Sequence, residues 1–92
     1  MTAFSIHHDA AEHRFEACVD GQRCELDYAL ADGVMTITHT GVPAAVGGRG
    51  VAGELVAAAF AEARVAGWKV RPACSYAAGY AQRHPELADL LL

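Results

Sequence analysis

HRFEACVDGQRCELDYALADGVMTITHTGV, residues 13–42, decides the architecture, because apolar and polar residues alternate along it and an Asp-Gly pair interrupts it twice. Asp-Gly between alternating runs marks a two-residue hairpin, whose two turn residues both need positive φ. With turns at Asp20-Gly21 and Asp32-Gly33, the stretch predicts a three-stranded antiparallel meander. Period two then assigns Phe15, Ala17, Val19, Cys24, Leu26, Tyr28 and Leu30 to one face, and Arg14, Glu16, Arg23, Glu25 and Asp27 to the other. One face is core and the other is wet. Pairing outward from the first turn sets Cys18 opposite Arg23 and Cys24 opposite Ala17. Outward from the second turn, Met35 faces Leu30, Ile37 faces Tyr28 and His39 faces Leu26, so His39 is expected on the apolar face.

Beyond Pro43 the period changes. A turn rich in glycine, Gly47-Gly48-Arg49-Gly50, leads into a segment where Val51, Leu55, Val56, Ala59, Phe60 and Ala63 recur at helical spacing. Gly67 is the expected C-terminal cap. A short strand from Trp68 to Cys74 follows, then an alanine-rich helix from about Ser75 to His84, stopped by Pro85. The predicted order is β-β-β-α-β-α, an α+β fold, with no internal repeat or linker.

Ninety-two residues suit one domain, 1–92, and folding at this size buries only roughly two-thirds of the chain surface. The chain is 53% hydrophobic with three prolines, enough for a core and against disorder. No stretch approaches the roughly 20 apolar residues of a membrane span and no signal peptide is apparent, so a soluble, cytoplasmic protein without a membrane partner is expected. A net charge of −4 argues against a broad face for nucleic acid. An anionic ligand would have to be held locally. Three cysteines without CxxC spacing suggest neither a disulfide framework nor a zinc site, and His7, His8, His13 and His84 lack partners at ligand spacing, so no metal is expected.

Residues 48–53, GRGVAG, match the dinucleotide fingerprint GxGxxG formally. That fingerprint needs a preceding parallel strand and an acid near the end of the next strand, and the chain offers neither. A P-loop fails as well, since no Gly-Lys-Ser/Thr follows. What remains is a glycine turn that lets a pyrophosphate approach the free N–H groups of a helix N-terminus.

Here the sequence resembles the GNAT (GCN5-related) N-acetyltransferases. Their pattern Arg/Gln-x-x-Gly-x-Gly/Ala falls on Gly47-Gly48-Arg49-Gly50-Val51-Ala52, matching at Gly50 and Ala52 and departing at Gly47, so Arg49 is the side chain left to supply positive charge. The likeness extends to minimal members of under about a hundred residues through His39-Thr40-Gly41-Val42-Pro43, Cys74-Ser75-Tyr76 and Arg83-His84-Pro85-Glu86. It implies a reduced GNAT core without the N-terminal helices that usually form the acceptor site. It implies acetyl-CoA as cosubstrate, a primary amine as acceptor, and an active site containing Cys74 and His39.

Acetyl transfer must orient a thioester, stabilise its oxyanion and take a proton from the amine. The resemblance implies that backbone N–H groups from Thr40 to Val42 hold the pantetheine arm and thioester, and that Gly47, Gly48, Arg49, Gly50, Val51, Ala52 and Gly53 hold the pyrophosphate. His39 suits the general base because imidazole titrates near neutrality. Cys74, at the start of the last helix, is either a nucleophile or a thiol lining a site of direct transfer, direct transfer being the usual GNAT route. Tyr80 stands roughly where many GNAT enzymes place a Tyr that protonates the departing thiolate. The rival class is a non-catalytic acyl-CoA-binding or protein-interaction module, which needs the turn alone.

Overall fold

The computed structural model describes residues 4–92. Five strands form one sheet in the spatial order β1 (His7–Asp9), β2 (Arg14–Val19), β3 (Gln22–Ala31), β4 (Val34–Gly41) and β5 (Lys69–Pro72). The first four pair antiparallel and β5 adds parallel to β4, across the helix α1 (Val51–Ala66). A second helix, α2 (Ser75–Arg83), and a 3-10 segment at Pro85–Leu90 complete the order. Asp20 and Gly21, and Asp32 and Gly33, all have positive φ, as two-residue type I′ turns demand. The meander is therefore present, inside a larger sheet. The addition is β1, a three-residue strand that sequence periodicity is too short to register. It is held to β2 by its ladder and by His8, which stacks on Phe15 at 4.1 Å and meets the Tyr28 hydroxyl at 2.7 Å.

The apolar face of the sheet and both helices share one core. Phe15, Leu26, Met35, Ile37 and Val70 from the strands pack with Leu55, Val56, Phe60 and Ala63 of α1 and with Ala77 and Ala81 of α2. The six apolar positions read from helical spacing in α1 are the six it buries, and Gly67 ends that helix at φ 79°. Among the described residues no helix covers the other face. Its charges satisfy one another: Arg14 reaches Asp27 at 2.8 Å, and Arg23 joins Glu16 across the strands. No helix is long and apolar enough to cross a membrane among the described residues.

Burial is the first cause that holds the Cys24 thiol and the Tyr28 phenol above their ordinary ionisation ranges. A group raised by folding contributes its stability while protonated and loses it as pH climbs through the folded value. The melting temperature is therefore expected to hold through neutral pH and to fall above about pH 9, past the unfolded values of about 8.5 for a thiol and 10 for a phenol. A thermal-shift series in pH checks this, and a melting temperature unchanged to about pH 11 would contradict it.

Candidate active site

The site grows from a fork in the sheet. β4 and β5 pair from Val34↔Lys69 to Ile37↔Pro72 and then separate. Pro72 has no N–H to extend the ladder, and the next two amides, of Ala73 and Cys74, both donate to the Ile37 carbonyl at 3.0 Å as the chain turns into α2. β4 continues to Gly41 paired with β3 alone. Beyond Ile37 its other edge has no strand neighbour among the described residues, leaving backbone groups open to an extended ligand.

A β-bulge in this segment corrects the expected register. Tyr28 pairs with Ile37 as predicted, but Asp27 pairs with His39, so Thr38 is the extra residue, and its hydroxyl donates to the Asp27 carbonyl at 3.2 Å. One inserted residue exchanges the faces of everything after it. His39 does not face Leu26 on the apolar side. It lies on the wet face, exposed, with its Nε2 3.7 Å from a Glu25 carboxylate oxygen. Thr40 takes the place opposite Leu26.

Thr40, not His39, therefore meets Cys74, with Oγ1 and Sγ 3.5 Å apart. Cys74 is the N-cap of α2, and its sulfur also accepts from the Ala77 N–H at 3.4 Å. A half-buried thiol thus sits at the N-terminus of α2, held by one backbone donor and in contact with one hydroxyl. Sequence placed Cys74 at the helix start but assigned Thr40 only a backbone role. The contact depends on the bulge, which no residue pattern announces.

Tyr80 lies two turns into α2 against the start of α1: a Cβ on Gly53 would come 3.3 Å from the Tyr76 hydroxyl and 3.8 Å from the Tyr80 ring. The Tyr80 ring stacks on His84 at 3.9 Å, and burial foremost pushes its phenol pKa up. It stays protonated at neutral pH and can give a proton but not take one.

The glycine loop follows a 3-10 turn at Ala44–Val46. Gly48 and Gly50 adopt φ 79° and 84°, a region only glycine enters cheaply. Gly50 is the N-cap of α1, and no side chain caps the helix. The first-turn amides of Val51, Ala52 and Gly53 thus lack intrahelical acceptors, and open space surrounds Gly48 and Gly50. This is a surface on which an anion can rest. Val51 and Val46 are buried beneath it and Val42 packs against the core, fixing the loop from below. Arg49 leaves the loop for Asp20 of the first hairpin turn, at 2.5 Å. Both side chains are exposed, so this pair is weakly held.

The sequence profile of the GCN5-related N-acetyl-transferases matches residues 14–90. The chain belongs to this family. The GNAT fold is matched as well by a GCN5-like protein of Staphylococcus aureus, itself proposed to be an N-acetyltransferase, with a TM-score of 0.76 and 28% identity over 100% of this chain and 91% of that one. No curated protein matches the chain. In GNAT terms, the fork and the loop described above are the segments on which the sequence placed the thioester and the pyrophosphate.

Proposed function

We propose that the chain, acting as one domain, moves an acetyl group from acetyl-CoA to a primary amine. The observation that carries this reading is the packing of α2 between two features of a GNAT core: its Cys74 touches Thr40 at the β4–β5 fork, and its Tyr76 and Tyr80 lie against the uncapped first turn of α1. The amides of Gly48 to Gly53 would hold the pyrophosphate, with Arg49 released from Asp20, and the free edge of Thr40 to Val42 would pair with the pantetheine arm. Membership of the family supports acetyl-CoA as the donor.

The contacts of Cys74 favour a covalent route over direct transfer. Its thiolate would attack the thioester carbonyl, forming a new S–C bond as the bond to the CoA sulfur breaks, while Tyr80 gives the departing thiolate its proton. An amine would then attack acetyl-Cys74, the N–C bond forming as the S–C bond breaks and His39 taking the amine proton. An acyl-CoA-binding module would use the loop and the fork but not the thiol.

Thermal shift with CoA, acetyl-CoA and NAD tests the ligand. CoA and acetyl-CoA at 100 times Kd should add about 2.7 kcal/mol of stability, and NAD none. Stabilisation by NAD without CoA would sink the assignment.

A further inference from the structure

The open face of the sheet carries a chain of side chains that ends on the imidazole assigned to the acceptor amine. Arg23 and Glu25 stand two residues apart on β3 and so share a face, and Glu16 on β2 is the cross-strand partner of Glu25. Arg23 contacts Glu16 and places its Nε 3.7 Å from Glu25 Oε1, while Glu25 Oε2 lies 3.7 Å from His39 Nε2. The other carboxylate nearby, Asp27, is engaged by Arg14 at 2.8 Å. Glu25 is thus the carboxylate left to His39. Gly41 supplies the room, since a Cβ there would stand 2.9 Å from His39 Nε2.

We propose that Glu25 is the positioning residue of His39: its carboxylate accepts a hydrogen bond from Nε2–H, fixes that tautomer and leaves the Nδ1 lone pair as the base for the incoming amine. A rotation of the exposed His39 ring towards the half-buried Glu25 closes the 3.7 Å separation to a hydrogen bond. The inference rests on the acetyl-transfer reading and adds direction to it: donor chemistry proceeds on the helix side of the fork, and the amine arrives over the uncovered sheet face, where Glu25 and Asp27 favour an ammonium ion. Glu25 itself touches neither substrate.

The test separates the two half-reactions. Wild type, Glu25→Gln, Glu25→Asp and Gly41→Ala are each loaded with acetyl-CoA, freed of excess, and mixed with n-butylamine across a pH series while mass spectrometry follows acetyl-Cys74. Glu25→Gln should form the adduct at the wild-type rate and lose it to the amine about tenfold more slowly, a part of the 10²- to 10⁴-fold due to the base itself. Glu25→Asp should recover part of the rate. Gly41→Ala, whose Cβ displaces the imidazole and not the backbone, should behave like Glu25→Gln. Nitrogen NMR of His39 reads the same contact without any reaction: wild type should hold the Nε2–H tautomer and Glu25→Gln should lose it. An unchanged tautomer ratio in Glu25→Gln overturns the proposal whatever the kinetics, as does equal slowing of both half-reactions. No adduct on wild type with a Glu25-dependent tautomer would instead remove the covalent reading and keep the pair.

Discussion

Gly50→Asp is expected to leave a folded protein that no longer binds CoA. Gly50 sits at φ 84°, with nothing within 4 Å of the position a Cβ would take, so a side chain there costs backbone strain and no clash. That strain is about 1–2 kcal/mol for an ordinary residue, and aspartate is among the more tolerant. Position offsets it. Aspartate is a preferred N-cap whose carboxylate accepts the amides of the first turn, worth roughly 1 kcal/mol, so α1 should persist. Those amides are the ones assigned to the pyrophosphate. The variant would occupy them and add a negative charge beside two more. At about 1.5–3 kcal/mol for each charge-assisted bond lost, two bonds amount to a 10²- to 10⁴-fold loss of affinity. Gly50→Ala, which brings strain without charge, should bind CoA nearly as wild type does. Calorimetry alongside circular dichroism checks both variants, and a folded Gly50→Asp protein that retains its affinity would move the phosphate site away from this loop.

What the sequence made legible was whatever has a period or a turn code. Asp20-Gly21 and Asp32-Gly33 set the register of two hairpins as far as Tyr28↔Ile37, because type I′ geometry leaves no freedom in how strands pair beside the turn. The apolar spacing of α1 named its buried face in full. The misses share a physical origin. Thr36 to Thr40 reads as uninterrupted strand, with β-branched residues on either side of His39, and the bulge within it is a tertiary feature that arises where β4 loses one neighbour. That single residue transfers His39 to the face bearing Glu25 and delivers Thr40 to Cys74. β1 went unread because His7-His8-Asp9 has no apolar alternation; its hold on the sheet comes from His8 against Phe15 and Tyr28, a contact across two hairpins. The expectation of a core without acceptor-site helices came from the likeness, and among the described residues no helix lies over the open face of the sheet. On that face Arg14 pairs with Asp27 and Arg23 with Glu16, so charged side chains meet water there without a covering layer.

Acetyl-CoA alone, without any acceptor, is expected to leave a mass increase of about 42 Da on Cys74. The chain holds two further thiols, and they act as internal controls. Cys24 is fully buried and burial pushes its pKa up, so it stays a thiol and should remain unmodified, whereas Cys18 is exposed and reports unspecific acetylation. Peptide mapping must therefore place the group on Cys74 well before it appears on Cys18. Cys74→Ser isolates the chemistry from the fold, because serine is itself a favoured N-cap and should keep the bond to the Ala77 N–H that caps α2. Its hydroxyl is a far weaker nucleophile near neutrality. The variant should bind CoA normally, form no adduct and lose nearly all transfer. Direct transfer makes the opposite forecast: no adduct on wild type, a Cys74→Ser protein that still turns over, and a His39→Ala protein whose kcat falls by about 10²- to 10⁴-fold with CoA affinity unchanged. His39→Ala separates the routes again, for under the covalent route it should form acetyl-Cys74 as fast as wild type and stall there when the amine is added. Wild-type protein that binds CoA yet forms no adduct and turns over no amine would make the binding module the better account, since Thr40 and Cys74 would then be a helix cap and its neighbour and nothing more.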